Sequence, residues 1–259
     1  MGKYIRLVED DGNMKEFHFL NSQKENIYIR EIKEFTVLPK ALFGYWINDN
    51  IYDAFSTADS LNTVLDVKKG LTTSDNEKFL RIWYEVCIDN VDFNGEVDSG
   101  KRWYRTHKGG NYRKWYGNNE NVINWENNGE KIKKFAKAVI RNPEYYFKPC
   151  VTWTDVATSK TSFRYVEHGS ISNASGPSIY GNKENLLYVL GILNTKASNY
   201  ILKLLCPTIH FEVGQVALFP ILEQRKSEVI RLSKENIDIA REDNESFESS
   251  WRFKCHPLI

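Results

Sequence analysis

The stretch "KENLLYVLGILNTKASNYILKLL", residues 183–205, constrains the fold of this chain more than any other segment. Its apolar residues are too dense and the run too long for a strand, and the spacing predicts a pair of helices broken near Asn194. The pattern ahead of it differs. "YIRLV" and "EFHFL", split by "EDDGNM", predict a hairpin around Asp11 and Gly12, and "NIYIREIKEFTVLP" continues the strand-like alternation to Pro39. A short helix is expected from Asn50 to Ala58, with strands at "TVLDVKKG" and "FLRIWYEV". Ile132, Phe135, Ala136 and Val139 share one helical face from Glu130 to Ile140, a helix ended by Pro143. "CVTW" and "SFRYV" read as short strands, with the turn-rich "GSISNASGPSIYG" behind them. Further on, "VALFPI" reads as a strand. An amphipathic helix carrying Val229, Leu232, Ile237 and Ala240 follows from about Glu223 to Arg241, and its Val229, Leu232 and Ile237 face is expected to pack on the apolar pair. The fold class expected is α+β, mixed. It forms a single domain over 1–259, strand-rich over about 1–166 and helical over about 167–259.

Charge and composition narrow the function. The formal net charge of +1 excludes a global basic field, yet the charge is unevenly placed. From Lys101 to Arg164 fourteen Lys and Arg face five acids, whereas from Glu223 to Glu248 eight acids face five bases. A basic middle on a neutral chain fits a local polyanion-binding face or a solvated loop region. Seven Trp and an aromatic fraction of 14% suit either a sheet-rich core or flat contact surfaces. Cys87, Cys150, Cys206 and Cys255 have neither zinc-ligand spacing nor a disulfide framework, so reduced thiols are expected. With no signal-like N-terminus and no run of eighteen apolar residues, the expectation is a cytoplasmic protein without membrane contact.

Enzyme motifs fail one by one. "RNPEYYF" approaches the Asn-Pro-Pro-Tyr of amino-methyltransferases, but Glu144 stands where the second proline is needed, and no glycine-rich turn for an adenosyl cofactor accompanies it. His210-Phe211-Glu212 lacks the Cys-x-x-Cys of a zinc deaminase, and Asp66-Val67-Lys68 lacks a nuclease partner. Neither a phosphate loop nor a nucleophile elbow occurs. No catalytic residue, metal ligand or cofactor-binding residue is therefore expected in the chain.

Three polar clusters remain. Thr72, Thr73, Ser74, Asp75 and Asn76 follow Gly70, as turn caps or as contacts to phosphates and base edges. The second lies in "THKGGNYRKWYGNNENVINWENNG", residues 106–129, whose amides and glycines suit neither a buried strand nor a helix and predict a loop. Within it Lys108, Arg113 and Lys114 stand beside Trp115 and Tyr116, a pairing suited to phosphate and base contact. The third, Trp153 to Arg164, adds Lys160 and several hydroxyls. For Trp103, Trp115, Trp125 and Trp153 a core role and a contact role stand equally open.

"KKGLTTSDNEKFLRIWYEV", "KGGNYRKWYGNNENVINWENNG", "YYFKPCVTWTDV", "VLGILNTKASNYIL", "PTIHFEVGQVALFPI" and "DNESFESSWRFKCHPL", in that order, resemble the target-recognition region of the PglX/BrxX adenine-specific DNA methyltransferases of BREX phage-defence systems. "GLTTSDN", "ILNTK" and "FPI" are shared more loosely with specificity domains of type I and type IIG restriction-modification enzymes. The resemblance covers nearly the whole chain. It implies recognition of double-stranded DNA, with Thr72, Thr73, Asn76, Lys108, Arg113, Lys114, Lys160 and Arg164 as the candidate contacts. It also implies a parent enzyme that methylates the adenine N6 amine with S-adenosylmethionine, through a methyltransferase domain absent here. The partners implied are that domain and other defence-system subunits. The competing readings are a protein-interaction module docking a methyltransferase or another defence subunit through the helical last third, and a carbohydrate-binding module. The second gains little from cations clustered among the rings.

Overall fold

The computed structural model describes residues 1–8, 10–21, 27–96, 99–158 and 160–256. They form two compact units, Met1–Ser60 with Pro220–Leu222, and Leu61–Phe219 with Glu223–Ile259. The fold class is α+β, mixed.

In the first unit β1 (Gly2–Ile5) pairs antiparallel with β2 (Ile27–Arg30). In place of the second arm of the hairpin expected at Asp11-Gly12, "EFHFL" belongs to α1 (Met14–Leu20). The Asp11 carboxylate accepts from the backbone N–H groups of Asn13 at 3.1 Å and Met14 at 3.0 Å, a cap that starts a helix where alternation suggested a strand. After β2 the strand does not continue either. Glu34 reaches back to accept from the Glu31 N–H at 2.8 Å, which closes a 3₁₀ turn over Ile32–Val37. α2 (Asp49–Thr57) is capped by Asn48 and lies within a residue of expectation. β3 (Asp59–Ser60) pairs with β13 (Pro220–Ile221), all that remains of the strand read at "VALFPI". Phe35, Leu38, Ile47 and Tyr52 are buried, and the rings of Tyr4, Phe35, Phe43 and Tyr45 pack together.

The second unit begins with α3 (Leu61–Val64), β4 (Asp66–Lys68), α4 (Asn76–Phe79), β5 (Leu80–Ile82) and β6 (Val91–Asp92). β7 (Trp103–His107) and β8 (Asn121–Asn124) follow, then α5 (Glu126–Lys133). β9 (Cys150–Trp153), β10 (Phe163–Val166), β11 (Ser170–Ser172) and β12 (Ser178–Tyr180) lead into the helices α6 (Lys183–Leu193), α7 (Lys196–Leu205), α8 (Val213–Val216) and α9 (Lys226–Glu245). One sheet runs β10-β9-β12-β4, all antiparallel; the other runs β11-β7-β8-β5, with β11 and β6 each parallel to β7.

The second sheet corrects the reading of 106–129 as one loop. β7 enters it and β8 leaves it, and Asn124 is buried in the strand. Strand periodicity explains how: Tyr104 and Ile123 join one buried cluster with Leu71, Trp125 and Ile171, while Trp103 and Val122 join another with Val91. The amides beyond β8 serve the turn, since Asn127, Asn128 and Gly129 all adopt the left-handed region. Trp103, Trp125 and Trp153 are core residues.

The apolar pair is as expected. Asn182 caps α6, and Thr195 caps α7 directly after the break at Asn194. α9 lies against α6 through Val229, Ser233 and Ile237; a Cβ on Gly191 would stand 2.6 Å from both the Ser233 hydroxyl and Val229 Cγ1. Leu232, expected in this face, is 42% exposed because Ser233 occupies the contact instead.

Candidate nucleic-acid interface

The three polar clusters come together on one segment, Ser170–Gly176, which the sequence marked only as turn-rich. Leu71 donates to Ser172 O at 2.9 Å and accepts from Ala174 at 2.7 Å, so the Thr72 turn is fastened to it. Asn173 N–H donates to His107 O at 3.1 Å, where β7 opens into the second loop. Asp155 N–H donates to Ser175 O at 3.2 Å and brings in the third cluster. Gly70 and Gly109 permit the approach. A Cβ at Gly70 would meet Ser172 O at 2.2 Å, and one at Gly109 would meet Ser175 O at 2.6 Å.

His107 anchors the root of the loop. It is 3% exposed, and its Nδ1 and Nε2 are hydrogen-bonded to the hydroxyls of Ser170 and Ser178, each at 2.9 Å. Burial, reinforced by the charges of Arg164 and Arg105, pulls its pKa down to about 3.

Beyond His107 the loop is held by its main chain. Gly110 N–H donates to Thr154 Oγ1 and Gly110 O accepts from it, both at 3.1 Å. Arg113 N–H donates to Ser162 Oγ at 3.2 Å, and Trp115 exchanges bonds of 2.9 and 2.8 Å with Phe163 O and Tyr165 N–H. Trp115, Gly117 and Asn118 adopt positive φ, which folds the chain back so that Asn118 donates to Asn111 O at 2.9 Å. The side chains at the tip are left outward: Asn111 is exposed and Tyr112 is 53% exposed. Open cavities of about 240 Å³ and about 330 Å³ flank this tip, the first lined by Thr154, Thr158, Lys160 and Thr161, the second by Tyr84, Arg113, Asn118 and Glu120.

The eight expected contact residues divide. Among the described residues, the side-chain nitrogens of Lys108, Arg113 and Lys160 make no hydrogen bond or ion pair. Lys114 is not free: its Nζ donates to Asn194 O at 2.6 Å and braces the loop on the C-terminus of α6. Arg164, expected at the surface, is 1% exposed; its guanidinium faces Arg113 O, Ser162 Oγ and Thr154 Oγ1 at 3.3 to 3.5 Å from beneath the loop. Burial lowers its pKa to about 10, which leaves it charged at neutral pH. Thr73 is 2% exposed and its hydroxyl donates to Asn76 Oδ1 at 2.6 Å, while Arg141 donates to Thr72 Oγ1 at 2.8 Å. With Asp75 accepting from Lys78 N–H at 3.0 Å, this turn caps α4. Asn111, Tyr112 and Tyr84 escaped the sequence reading, because an isolated exposed Tyr or Asn carries no periodic signal.

The motifs that imitated enzymes have structural uses. Asn142 donates to Lys69 O at 2.9 Å, and Lys68 pairs with Asp66 at 3.3 Å. All four cysteines are free thiols. Among the described residues no group of His, Cys, Asp and Glu could hold a metal ion, and no helix is long and apolar enough to cross a membrane.

This is a mixed α+β protein whose polar loops meet on one strand-like segment and leave cations and amides turned outward. No family profile matches it. The whole chain aligns at 33% identity with 23% of the adenine-specific methyltransferase PglX of Lacticaseibacillus casei (strain Zhang). It aligns over 99% of its length, at 35% identity, with 21% of the adenine-specific methyltransferase BrxX of Escherichia coli O9:H4 (strain HS). The chain is homologous to a portion of the PglX/BrxX adenine-specific methyltransferases, and it spans less than a quarter of the length of either relative.

Proposed function

We propose that this chain recognises duplex DNA as the specificity domain of an adenine N6-methyltransferase of phage defence, selecting the site while another domain carries out the chemistry. The observation that carries the reading is the loop tip. It is fixed by its own main chain, yet presents the unpaired Arg113 together with Asn111 and Tyr112, and Lys108 and Lys160 stand nearby. Rigid backbone with outward amide and guanidinium groups suits base edges, where Arg bidentate to guanine is the commonest specific contact. Lys108 and Lys160 suit phosphates, which fix register without reading sequence.

The methyl donor, S-adenosylmethionine, belongs on this reading to the methyltransferase domain, and the chain alone neither binds it nor transfers methyl groups. Calorimetric titration with the cofactor tests that; micromolar binding refutes it. The recognition reading is tested by placing Arg113→Ala in the intact protein and measuring duplex binding at two salt concentrations. Weaker binding with altered site preference supports it, and wild-type behaviour in both refutes it.

A docking role is favoured for the first unit rather than for the helical last third. Phe17, Phe19 and Leu20 of α1 are 56%, 56% and 71% exposed, and the relatives are more than four times longer than the aligned region. The occupant proposed is the remainder of the methyltransferase. Slower amide exchange over 14–20 in the full-length enzyme than in the 259-residue chain supports this, and equal exchange refutes it.

A further inference from the structure

The cavity of about 240 Å³ beside the loop tip has a composition that the sequence did not foreshadow. The described residues lining it include Tyr112, Thr154, Thr158, Lys160, Thr161 and Ser162, with no carboxylate among them. Thr161 is 2% exposed, and its Oγ1 has no hydrogen-bond partner. A buried hydroxyl left unpaired carries a free-energy cost that a ligand in the cavity would remove. Ser162 Oγ accepts from Arg113 N–H at 3.2 Å, so its own proton remains available to donate. Behind this wall lies the buried guanidinium of Arg164, 3.3 Å from Thr154 Oγ1 and 3.5 Å from Ser162 Oγ. A positive charge sealed behind a rank of hydroxyl donors, with an unpaired ammonium at the mouth, gives an electropositive hollow that can donate and has no acid to repel an anion.

We infer that this cavity is a phosphate-binding site, in which Thr161 and Ser162 donate to phosphate oxygens and Lys160 supplies the direct countercharge. The inference rests on the DNA reading for its source, a phosphodiester of the duplex backbone, though a free phosphate offers the same chemistry. Arg164 acts from behind as a positioning residue. It holds the two hydroxyl-bearing segments and the Arg113 carbonyl in one place and touches no ligand. The division of labour is then spatial: Arg113 on one side of the tip reads, and Lys160 with its hydroxyls on the other side anchors.

The test uses the intact protein with two probes, a fluorescein-labelled duplex of mixed sequence and inorganic phosphate alone. Lys160→Gln should weaken duplex binding about tenfold at low salt and reduce the slope of log K against log salt by about 0.9, the signature of one lost phosphate contact. Thr161→Val should weaken binding by a similar factor with the slope kept, because the charge remains; Ser162→Ala, which removes the other proposed donor, repeats the measurement should Thr161→Val fail to fold. Unchanged affinity in the hydroxyl variants overturns the cavity site, even if Lys160→Gln binds more weakly, since a lone rim lysine would then suffice. If the wild type binds no duplex, the DNA reading falls. The site then stands if inorganic phosphate shifts the amide resonances of 160–162 in the wild type but not in Thr161→Val, and falls if it does not.

Discussion

Acid should weaken this protein through His107 before its carboxylates titrate. In the fold the imidazole is neutral, buried and held between two serine hydroxyls, with a pKa of about 3. In the unfolded chain it returns to about 6.5. Above that value neither state carries the proton and nothing is lost. As pH falls below 6.5 the unfolded state gains a proton that the fold refuses, so stability drops by about 1.4 kcal/mol per pH unit until the folded pKa is reached. At pH 5 the loss from this one residue is about 2 kcal/mol, a large share of a typical domain's stability. The assay is urea unfolding at pH 7 and pH 5 for the wild type and for His107→Gln, which keeps hydrogen-bonding capacity and does not titrate. At pH 7 the variant should be less stable by about 1–2 kcal/mol, and at pH 5 that deficit should close. Other groups titrate alike in both proteins and cancel. Equal pH dependence in the two refutes the argument, because His107 would then be able to take up its proton in the folded state.

Arg113→Ala should leave the melting temperature unchanged, since its side chain makes no polar contact among the described residues, and should relax preference at one base position by about 1–3 kcal/mol, read from selection on a random-sequence duplex pool. Lys114→Met, by contrast, should lower stability by about 1 kcal/mol through loss of its bond to Asn194 O and keep the salt slope of DNA binding, because that ammonium is engaged inside the protein. Gly117→Ala puts a Cβ 2.9 Å from Arg113 Cδ at a φ of 118°, so it should destabilise by about 1–3 kcal/mol and move Arg113, with both melting temperature and site preference affected. Gly191→Ala should cost about 1–3 kcal/mol in urea unfolding by pressing α6 off Ser233 and Val229, with duplex affinity unchanged.

What the chain spelled out and what it concealed follow from the range of the forces involved. The α6–α7 pair was legible to the residue, because its dense apolar spacing and the Asn194-Thr195 break are local signals. The strands at "CVTW" and "SFRYV" were local too. The helix expected over 130–140 was not: α5 ends at Lys133, Val139 leaves helical geometry to exchange backbone bonds of 2.9 Å with Thr72, and Pro143 opens a 3₁₀ turn rather than ending a helix. The helix α1 was missed because a single Asp11 carboxylate outweighed an ambiguous pattern, and β8 was missed because its polar composition hid two buried positions, Val122 and Ile123, whose partners lie across β7. At the candidate site, the sequence named the cations of these loops but not which of them are engaged inside the fold. Whether Lys114 or Arg164 faces water depends on Asn194 and Thr154, far away along the chain, and no spacing within 106–129 encodes that. Thr161 gave no signal at all until its surroundings were assembled.

The main-chain fastening of the loop tip bears on how such a protein can change over generations. Gly110, Arg113 and Trp115 are gripped through peptide N–H and C=O groups, which every residue but proline possesses. Mutation at Asn111 or Tyr112, or of the Arg113 side chain, therefore alters what the tip touches while leaving what holds it. On the recognition reading proposed above, drift in these few codons would sample new target sequences at small risk to folding, so descendants of one scaffold would diverge in what they bind while keeping one fold.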